Sequence, residues 1–325
     1  MACEISVIVP TYNRATLIAT TLESILTQSC KPTEVIVVDD GSSDDTEAVV
    51  RAFGIAVKYI RIDNSGPCRA RNVGVRASCS QYIAFCDSDD VWLSDKLEQQ
   101  FKIFEAAPNV EFVFSDFKTF SDEGYATESK FESLSGEFWR GLPRRTLNTE
   151  LSIIEAPLVE RLLWRQPIFP STIAMKRSFF DSIGGWVESL GRTPSEDLEF
   201  VLRAAAHHPI GVVSKPVVGI RKHSSNFSGD NVRTTLGEIQ ILQYVMDHHA
   251  PGKRLRSLIL EQIRHRREDV AAASFSAGDF ETMRKVLKPA PIWQRSCRLH
   301  VKSAVARLPR ALRNSLLKRM VSTPT

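Results

Sequence analysis

The 325-residue chain is 43% hydrophobic and 25% charged, ordinary values for a folded globular protein that exclude disorder, collagen-like repeats and a coiled-coil rod. Its length allows two domains, or one large domain with an appendage. The net charge of +4 conceals an asymmetry: residues 282–325 hold 11 Lys and Arg and no acid, so residues 1–281 hold the remaining 31 against all 38 acids and are net −7.

Residues 5–9 read as a buried strand, followed by a helix over 15–28 with Leu17, Ile18, Leu22, Ile25 and Leu26 on one face. The pattern then repeats, with strands expected at 34–38, 57–62 and 82–86 and helices at 43–53 and 67–77. This alternation predicts a parallel sheet with helices on both faces, and ligands of such sheets bind beyond the carboxyl ends of the strands. Thr11-Tyr12-Asn13, Asp39-Asp40 and Asp87-Ser88-Asp89-Asp90 all lie just past strand ends.

Residues 111–115 form another strand candidate, and the polar stretch to about residue 145 carries no assignment. A strand at 172–175 and a helix start at 177–183 follow, then a Gly184-Gly185 turn and a helix over 195–207. Ser195 is expected as its N-cap, placing Glu196 and Asp197 in the first turn, where the helix dipole favours their charged forms. Beyond residue 231 the pattern is helical, longest at 236–248 and 254–275, which sets a domain boundary at residue 230.

No stretch of about 18 apolar residues occurs. Glu4 interrupts an N-terminus with no basic segment ahead of its apolar run, which argues against a spanning helix and a secretory signal. Cys3, Cys30, Cys68, Cys79, Cys86 and Cys297 show no C-x-x-C spacing, and a chain of this size needs no disulfide staples. All six are therefore expected as reduced thiols in the cytoplasm.

The carboxylates of Asp39-Asp40 and Asp87-Ser88-Asp89-Asp90, brought to one sheet edge, would repel one another unless a cation sits among them. A hard divalent ion with oxygen ligands, Mg²⁺ or Mn²⁺, suits such a set and completes its shell with substrate phosphates. Either cluster alone reads equally well as helix caps and solvated turns.

Pro10-Thr11-Tyr12-Asn13-Arg14, Val37-Val38-Asp39-Asp40-Gly41-Ser42-Ser43-Asp44-Asp45-Thr46, Gly66-Pro67-Cys68-Arg69-Ala70-Arg71-Asn72-Val73-Gly74 and Phe85-Cys86-Asp87-Ser88-Asp89-Asp90 resemble, in order and spacing, the nucleotide-binding half of family 2 glycosyltransferases with the GT-A fold. The resemblance continues through Gly184-Gly185-Trp186, Ser195-Glu196-Asp197 and Arg221-Lys222-His223-Ser224-Ser225-Asn226-Phe227-Ser228, and so covers about the first 230 residues. It implies an α/β fold of GT-A type, Rossmann-like, with a mostly parallel sheet flanked by helices and a C-terminal helical extension. Residues 1–230 would be the glycosyltransferase domain and residues 231–325 a helical region with a basic amphipathic tail.

The resemblance also implies roles. Thr11, Tyr12 and Asn13 would contact the nucleotide, with Asp40 on the base; Arg69 and Arg71 would lie nearby, where a guanidinium pairs phosphate or holds the aspartates. Asp87 would face the ribose and Asp89 the Mn²⁺ or Mg²⁺, with Asp90 assisting and His223 as a further metal or phosphate contact. The metal would neutralise charge on the departing nucleoside diphosphate. Asp197, beside Glu196, would be the general base for the incoming hydroxyl. Members typically carry Gly where this chain has Ser195. No Q-x-x-R-W, the mark of processive polysaccharide synthases in the family, follows Asp197, which predicts addition of one sugar and release.

The expected activity is thus metal-dependent, inverting transfer of one sugar from a nucleoside-diphosphate sugar to a glycan or lipid-linked glycan, in bacterial surface polysaccharide synthesis. A sugar-1-phosphate nucleotidyltransferase shares the topology and the metal aspartates, but opens with a glycine-rich loop where Pro10 to Arg14 has no glycine. A non-catalytic nucleotide- or glycan-binding module would be favoured if one of the key acids were missing. In the tail, Val301, Val305, Leu308, Leu312 and Leu316 recur at helical spacing among basic residues, interrupted by Pro309. Two readings stand: the stretch lies on an anionic membrane, at the inner face of the plasma membrane, or it docks on the acidic body. The acidic body argues against a specific nucleic-acid partner.

Overall fold

The computed structural model describes residues 2–134, 136–222, 231–289, 300 and 304–305. The chain divides into two compact units, Met1–Asn226 and Phe227–Thr325. In the first, strands β1 (Ala2–Thr11), β2 (Lys31–Asp39), β3 (Lys58–Arg61) and β4 (Tyr82–Phe85) alternate with helices α1 (Ile18–Leu26), α2 (Thr46–Arg51) and α3 (Pro67–Ala77). Then come β5 (Val91–Trp92), α4 (Lys96–Ala106), β6 (Phe112–Ser121), β7 (Gly124–Tyr125), α5 (Lys130–Ser133), α6 (Gly136–Trp139), β8 (Arg144–Thr146), β9 (Leu151–Ile154) and α7 (Val159–Trp164). A short turn at Pro170–Thr172 leads into β10 (Ile173–Lys176), α8 (Arg177–Ser182), α9 (Glu196–Ala204) and β11 (Ile210–Arg221).

One sheet in the order β3-β2-β1-β4-β10-β6-β11-β9-β8 carries the unit, with β5 beside β11 and β7 beside β6. The pairs β1–β2, β1–β4, β2–β3 and β6–β11 are parallel. Ile5, Val7, Ile8, Val9 and Val35 to Val38 are buried, because strands covered on both faces need unbroken apolar runs. α3 begins at Pro67, whose missing N–H and fixed φ suit a first helical position. Gly74 lets α3 lie close to the sheet, since a Cβ there would overlap the Ile8 side chain.

The sheet is mixed and mostly parallel, as expected, and its antiparallel pairs lie on one side of β4. β10 is antiparallel to both β4 and β6, because the βα alternation ends at β4 and the chain returns to the middle of the sheet only after the excursion through β9. The fold is therefore mixed, yet β4 and β6 still run in the same direction, and both bring their carboxyl ends to one rim. α4 and β11 were not expected. Pro216 obscures β11, and it sits where the β6–β11 register shifts, a place that tolerates a residue without an N–H.

The expectation of six reduced thiols fails at Cys30, which is disulfide-bonded, whereas Cys68, Cys79 and Cys86 are free. Motif spacing detects only cysteines that are neighbours in sequence, and Cys30 has none.

The second unit holds α10 (Asn231–His248), α11 (Ala250–Arg254), α12 (Arg256–Ser276) and α13 (Phe280–Leu287). Val270, Ala271, Phe275, Phe280, Met283 and Leu287 form its core. No helix among the described residues is long and apolar enough to cross a membrane. The expected amphipathic tail lies outside the described residues, apart from 304–305, and so does His223.

Candidate active site

The parallel strands β1, β2 and β4 deliver three loops to the same rim. The first two are stitched together: Asn13 N donates to Ser42 Oγ at 2.9 Å, Ser43 N donates to Asn13 Oδ1 at 2.8 Å, and Arg14 N donates to Thr46 Oγ1 at 2.8 Å. Asn13 takes φ 51° to do this, a conformation that Asn tolerates better than most residues. Tyr12, between these tied neighbours, is left 46% exposed, and the buried Thr11 Oγ1 has no hydrogen-bond partner among the described residues.

Asp39 and Asp40 serve different elements. Asp39 accepts from Ser42 N at 2.7 Å and from Tyr59 Oη at 2.6 Å. Asp40, expected on a base, turns its carboxylate to the main chain, accepting from Ser65 N and Gly66 N at 2.7 Å each. Burial pushes the Asp40 carboxyl above its ordinary value, against the pull of those two N–H groups. Gly66 has φ 93°, and a Cβ on it would overlap the Gly191 carbonyl; two backbones meet there because neither carries a side chain. Arg192 closes the same contact, donating to Asn64 Oδ1 at 2.8 Å. Arg69 is exposed and reaches Ser65 Oγ at 3.1 Å.

The loop Asp87-Ser88-Asp89-Asp90 resolves its like-charge problem with fixed partners. Arg71 donates to Asp87 Oδ1 at 2.8 Å, and Arg14 Nε lies 3.4 Å from Asp89 Oδ2. Asp90 points inward: its carboxylate accepts from Ser171 Oγ at 2.5 Å and Arg221 N at 3.1 Å. Burial, with Asp89 and Asp87 beside it, pushes the Asp90 carboxyl well above the usual carboxylate range. Asp90 is thus held inward by Ser171 and Arg221, while Asp87 and Asp89 face Arg71 and Arg14.

Arg71 joins this loop to α9. Only 3% exposed, it donates to Glu196 Oε1 at 3.0 Å as well as to Asp87, and its guanidinium lies 4.5 Å from the centre of the Trp186 ring. Burial opposes its charge, but Asp87 and Glu196 outweigh that and raise its pKa further. Glu196 is buried too, and burial pushes its carboxyl up while Arg71 pulls it back. Trp186 stacks on Phe200 of α9 with ring centres 4.0 Å apart and planes 12° from parallel. Asn72 fixes Trp186 by exchanging hydrogen bonds with its backbone N–H and C=O.

Ser195 occupies the N-cap position but does not cap. Its φ is 63° and its side chain makes no capping hydrogen bond, so the positive φ explains why Gly is usual there. Glu196, Asp197 and Glu199 all fall in the first turn of α9, where unpaired N–H groups favour negative charge. Glu199 is taken up by Arg203 at 2.8 Å, and Arg203 in turn holds the Ile183 and Gly185 carbonyls. Asp197 is half-buried, one position after the residue that meets Arg71.

The structure thus assembles Thr11, Tyr12, Asn13, Arg71, Asp87, Asp89, Glu196 and Asp197 around one rim, with Asp40, Arg69 and Asp90 supporting it. Arg14, Trp186, Ser171 and Arg221 were not given roles from sequence. Arg14, Trp186 and Arg221 stand in the motifs that carry the resemblance, and nothing local marked Ser171. Asp87 and Asp89 supply hard oxygen donors one residue apart, which suits Mg²⁺ or Mn²⁺, since Mg²⁺ commonly takes only one or two protein carboxylates beside phosphate and water. No group of three or more His, Cys, Asp and Glu side chains among the described residues is arranged to hold a metal by itself.

The model of the family described as glycosyl transferase family 2 matches residues 6–178. A relative from Rickettsia bellii, named an uncharacterized glycosyltransferase, is 29% identical over 249 residues, which are 75% of this chain and 33% of that protein. The chain therefore spans about a third of that relative's length. The Escherichia coli protein WfgD, named a UDP-Glc:alpha-D-GlcNAc-diphosphoundecaprenol beta-1,3-glucosyltransferase, is 33% identical over 116 residues, 35% of this chain and 46% of that one. Among solved structures, S. aureus TarS 1-349 in complex with UDP-GlcNAc is similar with a TM-score of 0.63 and 20% identity, over 98% of this chain and 90% of that one. At that identity the likeness speaks for the fold alone.

Proposed function

The chain belongs to glycosyl transferase family 2, and on that premise we propose that it moves a single sugar, with inversion, from a nucleoside-diphosphate sugar to a hydroxyl of a glycan or lipid-linked glycan acceptor. The observation that carries this reading is the buried Arg71 fork, which ties the Asp87 loop to the acid-bearing start of α9. A donor-side loop and an acceptor-side carboxylate are what inverting transfer requires on opposite faces of a sugar.

In this reading Tyr12 offers an aromatic face to the base, and the unpartnered Thr11 hydroxyl and Asn13 line the nucleotide. Asp87 and Asp89 would hold Mg²⁺ or Mn²⁺, which would supply positive charge to offset that developing on the leaving diphosphate. Asp197 accepts the proton of the acceptor hydroxyl as its oxygen bonds to the anomeric carbon and the bond from that carbon to the diphosphate oxygen breaks. Glu196 stays with Arg71 and so keeps the start of α9 in place. The name of the relative WfgD supports a diphospholipid-linked acceptor, and surface polysaccharide synthesis is the corresponding setting. Residues 1–230 carry this chemistry, and the basic tail of the 231–325 region would hold the protein at the membrane where such an acceptor resides.

The test is to incubate the purified chain with UDP-, GDP- and dTDP-sugars and Mn²⁺ or Mg²⁺ and follow nucleoside diphosphate release. Slow, metal-dependent release that Asp89→Ala abolishes is the expected result. Pyrophosphate release from a nucleoside triphosphate and a sugar-1-phosphate would instead identify a nucleotidyltransferase.

A further inference from the structure

The hydroxyl of Ser171, in the turn ahead of β10, contacts both ends of the loop from Asp87 to Asp90. It accepts from Asp87 N at 2.9 Å and donates to Asp90 Oδ2 at 2.5 Å. The main chain of the same residue holds the next element, because Ser171 O accepts from Trp92 Nε1 at 3.0 Å. One fully buried residue thus fixes the first residue of the acidic loop, its last residue, and the strand that follows.

The turn that presents Ser171 is itself held from below. Gln100 Nε2 donates to Thr172 O at 2.8 Å, and Lys96 Nζ lies 3.5 Å from Ile173 O and 3.7 Å from the centre of the Trp92 ring. Three successive carbonyls, of Ser171, Thr172 and Ile173, are gripped by side chains of β5 and α4. This leaves the hydroxyl a fixed reference for the loop it spans. A short loop carrying three acids has strong reason to splay. Arg14 and Arg71 restrain its side chains, Arg221 and Thr21 hold its Asp89 and Asp90 carbonyls, and Ser171 holds its first N–H at Asp87 together with its anchor at Asp90.

We propose that Ser171 is a positioning residue for the nucleotide site: its hydroxyl holds the Asp87 and Asp89 carboxylates in the separation and direction at which they can share a divalent cation with a diphosphate. The proposal rests on the transferase reading of this rim. Its consequence is specific. Without the hydroxyl, the part of nucleotide binding that depends on the cation is lost, while the base contact at Tyr12 and the nucleotide contacts at Thr11 and Asn13 persist.

The experiment compares the full chain with Ser171→Ala and with Ser115→Ala. Ser115 is equally buried and donates to Thr172 O of the same turn at 3.4 Å, with no hydrogen bond to the acidic loop among the described residues. UDP and GDP binding is measured by calorimetry with and without Mn²⁺, alongside thermal unfolding and the split of kcat against KM for nucleoside diphosphate release. The expected result is a loss of roughly tenfold or more in Mn²⁺-supported nucleotide affinity for Ser171→Ala, corresponding to about 1.4 kcal/mol. Less than about twofold change is expected without metal, with unfolding close to that of Ser115→Ala and a fall in kcat. Equal losses with and without metal, equal losses in both variants, or unaltered binding in Ser171→Ala would each overturn the proposal. A wild-type chain that binds neither nucleotide is titrated with dTDP as well, and if it binds none of the three the transferase reading fails first and the role of Ser171 with it.

Discussion

Arg71 and Glu196 meet at 3.0 Å across 125 residues of chain, and the same guanidinium reaches Asp87 at 2.8 Å. α3, the helix ahead of the acidic loop, and α9, the last helix before β11, are thereby registered by one side chain. Removing it strands a buried carboxylate, and breaking one side of a buried pair costs about 3–5 kcal/mol. Arg71→Met is expected to lower the urea midpoint accordingly and to abolish transfer. Arg71→Lys keeps the charge but loses the fork and should fall between the two. Denaturant titrations of the three proteins check this, and an Arg71→Met midpoint equal to wild type would refute it.

Asp197 can be separated from its neighbour by function. Asp197→Asn removes the proposed proton acceptor without adding bulk, so kcat is expected to fall by about 10²–10⁴-fold while nucleotide affinity stays within a factor of two or so. Steady-state kinetics with calorimetry distinguishes this from a structural role, which would reduce nucleotide affinity as well.

Lys96 is wholly buried beneath the acidic loop, and burial lowers its pKa to about 7. The folded chain therefore gives up this proton near neutrality, whereas the unfolded chain keeps it to the ordinary value of 10.5. Between those limits the unfolded state binds more protons, so this group makes stability rise with pH, by up to about 1.4 kcal/mol per unit. Lys96→Met removes that slope and is expected to be more stable than wild type near pH 7, with the difference narrowing as pH climbs. Urea denaturation at several pH values between 6.5 and about 9.5 reads the slopes directly; parallel curves for the two proteins would contradict the prediction.

Gly66 combines φ 93° with direct contact to the Gly191 main chain. Gly66→Ala is expected to cost about 1–3 kcal/mol from backbone strain alone, and more from the displaced Gly191. Because Gly66 N is one of the two donors to Asp40, nucleotide affinity should fall with stability. Gly54→Ala, also at positive φ but with open space around it, isolates the strain component.

Much of the first ninety residues was legible because local pattern and tertiary role agree there. The helix predicted over 67–77 is Pro67–Ala77 in the structure, since a proline after a glycine marks its start and an apolar face marks its length. Reading ended where partners are remote. β10 looks like any buried strand, and nothing in Ile173 to Lys176 says that it runs against its neighbours. Pro216 disguised β11, and the acids of Lys96–Ala106 gave no hint that a lysine among them is buried. In the site, residue types pointed to one rim but not to the partner each side chain takes there. Asp87, Asp89 and Asp90 look alike in sequence, and only the contacts of Ser171 and Arg221 turn Asp90 inward.

The loops of the rim are each fastened to a neighbour: 12–14 to 42–46, 63–66 to Asp40 and Gly191, and 87–90 to Ser171. The stretch from β7 to β8 differs. It is mostly exposed and leans on the rest through a few points, among them Asp116 accepting from Phe131 N and Arg161 holding the Glu137 and Arg140 carbonyls. Mutation can rewrite that flank while the fastened loops stay as they are, so lineages sharing this scaffold have room to vary there without disturbing the acidic loop.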